Sequence, residues 1–246
     1  MTWLSEIVYD KSNIVCILSN QSQTKVEYVF DKQLKEQENF WLTAESGYWL
    51  KTNESKYQAL FEVSDRQWIK TIRKIMDEYC QNIDGSVVQE RSCSIMWNYT
   101  NTEREHGAKS ANELELELRT MLGKSSPIEI IHSNGYIEVL PSKLTMQAAI
   151  SNIFQNVQEF SKHQVESLLY IGANLTQDSV FEFIKKRVEE DSQASYMEND
   201  SERKRALFAY DCKTTLCVLG KRPTSAKYFL EPQDVPKFIE EMAIRV

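Results

Sequence analysis

A continuous apolar run of strand length, Ile14–Leu18, is the feature that most restricts how this chain can fold. A strand that is covered on both faces does not need to alternate apolar and polar residues, so it forms an unbroken run of this kind. Residues 22–38 follow with helical composition, and Trp41–Glu45 has the character of a second strand. This order of strand, helix and strand predicts a parallel, Rossmann-like sheet in an α/β fold.

A different pattern occupies the middle of the chain. Its segments are an apolar helical stripe at 66–80, a strand pattern at 92–99, a second helical stretch at 110–122, and strand patterns at 128–131 and 136–140. The Asn134-Gly135 dipeptide between the last two strands is a strong signal for a hairpin turn. We therefore predict a core formed by residues 1–65 and 141–246, with residues 66–140 inserted as an α+β cap.

The core pattern resumes near residue 141. Its predicted segments are a helix at 146–157, a strand at 168–171, a helix from about 178, a strand at 214–219 and a terminal helix at 235–242. Residues 189–205 have almost no apolar content, which is typical of a surface loop. The second part of the core is thus expected to continue the alternation of strands and helices.

The charge and the apolar content exclude two classes of partner. Asp and Glu number 36 against 29 Lys and Arg, which gives a net charge of −7, so we expect no basic stripe for nucleic acid. The longest apolar runs have about five residues, far fewer than the roughly 20 that a membrane-spanning helix needs. We therefore expect binding to neither nucleic acid nor a membrane.

The cysteines indicate a reducing compartment. Their number is odd and several lie within apolar runs, as is typical of buried, reduced thiols. They are Cys16, Cys80, Cys93, Cys212 and Cys217. The N-terminal stretch has neither the basic nor the apolar region of a signal peptide. These features predict a cytoplasmic protein.

Four segments, taken in order, resemble a known family. They are WLTAESGYWLK at 41–51, ERSCSIMWNY at 90–99, YIEVLPSK at 136–143 and SAKYFLEPQDVPKFIEEM at 225–242. Together they resemble the trehalose-6-phosphate phosphatase family of the haloacid dehalogenase (HAD) superfamily over nearly the whole chain. The resemblance implies a HAD-like Rossmannoid parallel sheet with an inserted cap, and a role in trehalose biosynthesis.

The chemistry that this resemblance implies depends on acidic residues. An Asp nucleophile in a DxDG motif ends the first core strand, and a second Asp acts as general acid and base. A Ser or Thr and a Lys hold the phosphate. An acidic motif binds Mg²⁺, whose charge offsets that of the nucleophile and the phosphate. A chain without these acids would lack the hydrolytic chemistry of the family.

This chain departs from the family pattern at most of the acidic positions. No DxDG motif occurs in the 246 residues, so the first core strand with its nucleophile is missing and we expect no catalytic residue. The metal motif is degenerate, because Ala173, Asn174 and Gln177 replace acids and Asp178 replaces a Glu. Neutral side chains cannot supply the negative charge that a hard cation requires. We therefore expect no bound metal.

The residues that match the ligand-binding positions of the family are better kept. Ser19 and Lys143 match its phosphate-binding residues, and we interpret them as vestigial. The spacing of its sugar-binding residues makes Gln89, Arg91 and Glu138 the candidates here. Glu138 is unchanged, Arg91 keeps the charge with a different geometry, and Gln89 keeps hydrogen-bonding capacity without charge.

The first hypothesis is a non-catalytic, trehalose-phosphatase-like domain that needs no cofactor. By analogy with the regulatory subunits of fungal trehalose synthase complexes, its partners would be trehalose-6-phosphate synthase and active phosphatase subunits. One alternative is an active, Mg²⁺-dependent trehalose-6-phosphate phosphatase that is part of a longer chain. The other is a sensor that binds trehalose-6-phosphate through Glu138, Arg91 and Lys143 without hydrolysing it.

Several residues also have a purely structural interpretation. Thr176 and Asp178 are suited to cap the helix that follows them. The carboxylates of 113–117 are expected on a solvated helix face. The histidines show no metal-ligand spacing and are expected to be solvated; they are His106, His132 and His163.

The missing first strand leaves a structural question. Without it, the strands at 14–18 and 168–171 lose a neighbour in the sheet, and their backbone groups are left without partners. Either residues 1–9 fill part of the gap, or the natural protein is longer than this chain. We favour the longer protein.

Overall fold

A computed structural model describes residues 2–52, 56–63, 66–123, 127–173, 178–196, 206–220 and 224–243. Its helices are α1 (Thr2–Tyr9), α2 (Gln23–Val29), α3 (Lys32–Lys35), α4 (Gln67–Asn82), α5 (Arg104–Leu122), α6 (Met146–Phe160), α7 (Asp178–Tyr196) and α8 (Val235–Ala243). Its strands are β1 (Val15–Ile17), β2 (Phe40–Ala44), β3 (Trp49–Lys51), β4 (Gln58–Ala59), β5 (Val87–Glu90), β6 (Ile95–Asn98), β7 (Ile128–Ser133), β8 (Tyr136–Pro141), β9 (Val165–Gly172), β10 (Phe208–Leu219) and β11 (Tyr228–Leu230).

The first sheet has the order β1-β2-β3-β4 and confirms the predicted parallel pair. Cys16 lies opposite Trp41 in the parallel ladder of β1 and β2, and the later pairs of this sheet are antiparallel. β2 is buried along its whole length because Phe40 and Leu42 pack against α1, α2 and α3, whereas Trp41 packs on the other face. Burial on both faces explains why the strand has no polar alternation.

The second sheet has the order β11-β10-β9 and is parallel throughout. β9 and β10 pair in register from Ser167 and Lys213 to Gly172 and Val218. The two sheets with the helices that cover them are called the core layer below. The predicted α/β class with a parallel sheet is therefore confirmed, although the parallel strands form two sheets rather than one.

β1 and β9 are both edge strands. Among the described residues, β1 pairs with β2 alone and β9 with β10 alone, so each keeps one edge without a strand partner. Of the two alternatives given above, residues 1–9 add no strand at this gap, because Thr2–Tyr9 is helical. Leu4 and Val8 bury the apolar face of this helix against the first sheet, which is favourable for a helix and leaves no extended backbone to pair with β1.

Helix α6 lies beneath both sheets and joins them through side chains. The ring of Phe160 packs edge-to-face on Trp41 of the first sheet, with a centroid distance of 5.7 Å. Phe154, one and a half turns earlier, packs edge-to-face on Phe208 of the second sheet at 5.2 Å. A single apolar cluster therefore spans the two sheets, with α7 adding Phe181 against Tyr170 of β9.

Residues Gln67–Pro141 form a separate antiparallel unit. Its sheet has the order β5-β6-β8-β7, and α4 and α5 cover one face around a cluster that includes Ile72, Trp97 and Leu114. The predicted hairpin is confirmed: Ser133 pairs with Tyr136 across a two-residue turn. Gly135 has a φ of 92°, which explains the Asn-Gly sequence, because such turns need left-handed backbone.

The predicted loop at 189–205 is wrong in its first part. Helix α7 continues to Tyr196, whereas 197–205 lies outside the described residues. The polar residues of this last part of the helix bond to the strand that follows. The carboxylate of Asp191 accepts a hydrogen bond from the Leu207 N–H, and the Ser192 hydroxyl donates to the Ala209 carbonyl. Polar composition here reflects these bonds rather than an irregular backbone.

The start of one helix and the presence of one strand also differ from expectation. Helix α5 begins at Arg104, six residues before the predicted start, because Glu103 accepts hydrogen bonds from the N–H groups of Glu105 and His106 and so caps it. Strand β5 was not predicted, because most of its residues are exposed and it has no apolar face of its own.

The central place of α6 generates a stability prediction. Phe154→Ala should lower the free energy of unfolding by about 3–5 kcal/mol, because the cavity would open between the helix and the second sheet. Urea denaturation followed by circular dichroism measures this loss. Tyr28→Ala is the control, since that ring is 91% exposed and its removal should change the free energy by less than about 0.5 kcal/mol. Equal losses in the two variants would contradict the packing described.

Candidate functional site

The first turn of α6 lies between the carboxyl ends of the parallel strands of the two sheets. A Cβ added at Gly47, in the turn that follows β2, would collide with the Cβ of Ala149. On the other side, the Gln147 side-chain amide donates to the Ser179 hydroxyl at the start of α7, which follows β9. Ligands of open α/β sheets bind outside the carboxyl ends of their strands. This region is therefore the candidate site.

Ser19 lies two residues beyond β1 and is part of a hydrogen-bonded turn. Its N–H donates to the Thr43 hydroxyl at 3.2 Å, and its own hydroxyl accepts from the Gln21 N–H at 3.1 Å. Its carbonyl accepts from the Ser46 N–H at 3.0 Å. Ser19 thus fixes the loop after β1 against the loop after β2.

Lys143, the other candidate for phosphate binding, is exposed just before α6. Its ammonium lies 4.0 Å from the centroid of the Phe61 ring, which is a cation–π contact. Ser19 and Lys143 therefore contact different residues, and not each other.

The degenerate metal motif is only partly described. Gly172 ends β9 and Ala173 follows it, while Asn174, Thr176 and Gln177 lie outside the described residues. Asp178 begins α7, and its Oδ1 accepts from the Thr224 hydroxyl at 2.6 Å and from the Ser225 N–H at 3.0 Å. Its carboxylate therefore binds the segment before β11, a role that helix capping alone does not describe.

These side chains do not fit a Mg²⁺ ion. Mg²⁺ needs oxygen ligands with negative charge, and the methyl group of Ala173 offers none. One of the two Asp178 oxygens, Oδ1, is already used by two protein donors. Within the ranges that the structure describes, no group of three or more His, Cys, Asp or Glu is placed to hold a metal ion.

The three sugar-binding candidates lie on one face of the antiparallel unit. Gln89 pairs with Met96 and Met96 pairs with Glu138, so their side chains point to the same side of the sheet. Arg91, two residues beyond Gln89, shares this face. Gln89 is exposed at its edge. The opposite face carries the apolar cluster with Trp97.

Arg91 and Glu138 form a largely buried ion pair on this face. The guanidinium Nη1 lies 3.1 Å from Glu138 Oε1, with the side chains 12% and 8% exposed. The Ser94 hydroxyl donates to the same oxygen at 2.6 Å. Each charge is thus satisfied within the chain, and a sugar hydroxyl would have to join or displace these bonds.

A second buried carboxylate, Glu45, was not among the predicted site residues. It follows β2 directly, and its oxygens accept from the N–H and the hydroxyl of Ser92 at 2.9 and 3.1 Å. The Ser92 hydroxyl also accepts from the indole N–H of Trp49 at 2.9 Å. An acid placed directly after a mostly apolar strand was the available sequence signal, because such positions lie at the ligand-binding edge.

His132 is exposed, as are the other two histidines, but it also has two side-chain partners that were not predicted. Its Nδ1 lies 2.6 Å from Glu115 Oε2, and its Nε2 lies 3.1 Å from the Tyr99 hydroxyl. Glu115 also pairs with Arg119, so it is not a freely solvated helix carboxylate either. The contact joins β7 to α5 across 17 residues of sequence, which ligand-spacing arguments do not detect. His106 and His163 are exposed.

A surface depression of about 490 Å³ lies at the opposite end of the first sheet. Its lining consists of Lys11, Glu36, Gln37, Glu38, Asn39 and Phe160. Because these residues border the amino ends of β1 and β2, the depression is separate from the candidate site. In the described parts of the chain, no helix has both the length and the apolar character of a membrane span.

The hydrogen bonds of Asp178 generate a second prediction. Asp178→Ala should lower the free energy of unfolding by about 1–3 kcal/mol, because it leaves the Thr224 hydroxyl and the Ser225 N–H without this acceptor. Thermal and urea denaturation measure the change. Asp211→Ala, which removes an exposed carboxylate from β10, is the matched control. A loss no greater than in this control would show that the Asp178 contacts contribute nothing.

The Glu115 contacts predict an acid-dependent loss of stability. Burial raises the pKa of the Glu115 carboxyl, but hydrogen bonds from His132 and Arg119 outweigh it, so the pKa falls below its ordinary value of 4.5. A folded-state pKa below the unfolded one stabilises the fold above pH 4.5, and this contribution is lost as the pH falls through the folded-state pKa. Glu115→Gln should therefore flatten the acid limb of stability against pH.

The matched control for this pH series is Glu113→Gln, which removes a more exposed carboxyl from the same helix. Urea midpoints between pH 3 and pH 7 would be compared for the native chain and both variants. An unchanged acid limb in Glu115→Gln would refute the assignment.

The family described as Trehalose-phosphatase matches residues 1–232. A probable α,α-trehalose-phosphate synthase of Arabidopsis thaliana is 24% identical over 238 residues, which cover 96% of this chain and 25% of that protein. A trehalose-phosphatase of Schizosaccharomyces pombe is 25% identical over 195 residues, covering 78% and 23%. The chain thus spans about a quarter of the length of these relatives.

Solved structures show the same fold. The C-terminal domain of a Candida albicans trehalose-6-phosphate phosphatase superposes with a TM-score of 0.74 at 19% identity, covering 98% of this chain and 82% of that one. The C-terminal domain of the Candida albicans trehalose synthase regulatory protein has a TM-score of 0.74 at 14% identity, covering 97% and 84%. A haloacid dehalogenase-like hydrolase from Bacteroides thetaiotaomicron has a TM-score of 0.63 at 10% identity, covering 98% and 90%. The fold is HAD-like, and the chain belongs to the trehalose-phosphatase family.

Proposed function

We propose that this trehalose-phosphatase-like chain does not hydrolyse phosphate esters and acts as a regulatory or scaffolding part of a trehalose synthase complex. The observation that carries the proposal is the state of the metal motif. Ala173 offers no ligand, and Asp178 is bound to Thr224 and Ser225. Phosphoryl transfer in this family needs Mg²⁺ to offset the charge of the phosphate, and these side chains do not supply its ligands.

The similarity to proteins of trehalose synthesis supports the partner class. One relative is a probable trehalose-phosphate synthase, and one solved neighbour is the C-terminal domain of a trehalose synthase regulatory protein. We infer that the partners are trehalose-6-phosphate synthase and active phosphatase subunits. The chain spans only about a quarter of the length of such relatives. We therefore propose, by analogy with the family, that the whole protein has the same activity and partners.

A second candidate function is a sensor of trehalose-6-phosphate. The observation that favours it is the common face of Gln89, Arg91 and Glu138 on the antiparallel unit. An arginine and a carboxylate side by side offer both a donor fork and an acceptor to sugar hydroxyls. A sensor and a scaffold are compatible, because a bound ligand could alter how the chain holds its partners.

Phosphate release from trehalose-6-phosphate with Mg²⁺ tests the non-catalytic proposal. The native chain should release no phosphate above the rate of the protein-free blank. An Ala173→Asp, Asn174→Asp variant tests whether acids in the motif alone suffice, and an active trehalose-6-phosphate phosphatase is the positive control. Mg²⁺-dependent release by the native chain, abolished by Asp178→Asn, would establish the alternative of an active enzyme.

Affinity purification of the tagged chain tests the regulatory proposal. Synthase and active phosphatase subunits should be retained by the native chain and by Asp211→Ala, which removes an exposed carboxylate from β10, and not by the tag alone. Absence of both subunits from eluates, with the chain folded by circular dichroism, would refute a scaffolding role.

A further inference from the structure

Glu45 is a buried carboxylate, so its loss of hydration must be compensated by contacts within the protein. The residue is only 7% exposed. In the described ranges its oxygens accept hydrogen bonds from Ser92, which is neutral, rather than forming an ion pair. Removing a carboxylate from water costs several kcal/mol unless donors in the protein replace the hydration. The Ser92 contact must therefore compensate this cost whenever Glu45 is buried.

The backbone around Glu45 is held in a strained conformation that aims the side chain. Glu45 and Ser46 have φ values of 51° and 59°, a left-handed conformation that costs about 1–2 kcal/mol for each non-glycine residue. The Glu45 N–H donates to the Gln21 carbonyl at 2.9 Å, and Gly47 lies against Ala149 of α6. Strain that neighbouring elements maintain in this way is characteristic of functional positions.

Ser92, in the antiparallel unit, donates the hydrogen bonds that the Glu45 carboxylate accepts. It lies in the segment between β5 and β6, within the antiparallel unit. Its N–H and hydroxyl both donate to Glu45, and its hydroxyl accepts from Trp49 of β3. Two residues of the core layer therefore hold one residue of the antiparallel unit.

The neighbours of Ser92 include two of the sugar-binding candidates. Arg91 precedes it and pairs with Glu138, and Ser94 donates to the same carboxylate. Cys93 lies between them, fully buried against Tyr48 and Leu140. A displacement of Ser92 would therefore move the backbone of Arg91 and of Ser94, and the side chains of both residues bond to Glu138.

We propose that Glu45 is a positioning residue: its hydrogen bonds to Ser92 latch the antiparallel unit onto the core layer and hold Arg91 and Glu138 in their paired geometry. The identity of the ligand, trehalose-6-phosphate, rests on the proposed function, whereas the latch rests on the contacts alone. Opening the latch returns Glu45 to water and frees Ser92. The order of the Arg91–Glu138 pair should therefore depend on the state of Glu45.

Cys93 provides a reporter of the latch within the native chain. Burial raises the pKa of its thiol to about 12, and the Glu45 and Glu138 carboxylates contribute to the rise. A buried, protonated thiol reacts with an alkylating reagent only when the segment opens. Alkylation with iodoacetamide followed by peptide mass spectrometry measures the opening at Cys93 separately from that at the other four cysteines.

Glu45→Gln should raise the labelling rate of Cys93 at least about tenfold, because a charge-assisted acceptor is lost. Ser92→Ala, which keeps its N–H, should raise it by about three- to tenfold and is the variant less prone to misfolding. In the double variant, the labelling rate of Cys93 should rise by less than the product of the two single increases, because the two residues share one interaction. Glu103→Gln is the matched control, since the Glu103 carboxylate also accepts two hydrogen bonds, from the backbone N–H groups of Glu105 and His106, but lies at the start of α5.

Two results would overturn the latch. One is a labelling rate of Cys93 that stays equal to that of the native chain in both Glu45→Gln and Ser92→Ala. The other is an equal increase at all five cysteines, which would mean global destabilisation rather than local opening. Either result decides against the proposal without any measurement of ligand or of catalysis.

Calorimetry with trehalose-6-phosphate tests the positioning role. Its Kd should rise several-fold in Glu45→Gln and stay unchanged in Glu103→Gln. An unchanged Kd in Glu45→Gln, with Cys93 labelling accelerated, would refute positioning while leaving the latch intact. If the native chain bound no trehalose-6-phosphate, the sensor function would fail, and the labelling series would still decide the latch.

Discussion

The packing of α6 against two separate sheets is the interaction on which the architecture depends. Among the described residues no ladder joins β1 to β9, so the two sheets are held by side chains, chiefly the contacts of Phe160 with Trp41 and of Phe154 with Phe208. The same helix begins at the candidate site, where its first turn approaches Gly47 and Ser179. One element therefore supports the core and contacts loops that follow strands of both sheets.

The charged groups of the candidate site are bonded within the protein. Asp178 binds the segment around Ser225, Glu138 binds Arg91, and Glu45 binds Ser92. An active metal-dependent phosphatase requires carboxylates that remain available to a cation. Here the local contacts stabilise the fold instead. This distribution of hydrogen bonds is the reason for the proposal that the chain does not hydrolyse phosphate esters.

The parts of the fold that depend on local pattern could be predicted from the sequence, whereas the parts that depend on distant contacts could not. Ile14–Leu18 and Asn134-Gly135 gave a correct strand and a correct hairpin because burial on two faces and left-handed turn geometry leave direct marks on sequence. Glu45 and Ser92 are 47 residues apart, and no spacing rule connects them. The same limit applies to His132 and Glu115, whose contact requires β7 to pack against α5.

The division of the parallel strands into two sheets has a mechanical consequence. A ladder of backbone hydrogen bonds resists sliding because each bond has a fixed direction, whereas apolar side chains can shift slightly past one another with little change in contact area. Among the described residues no ladder joins the two sheets, so we expect a shear of one sheet relative to the other over α6 to be easier than the bending of either sheet. Since the segments containing Ser19 and Asp178 follow strands of different sheets, this shear changes the width of the site without bending any strand.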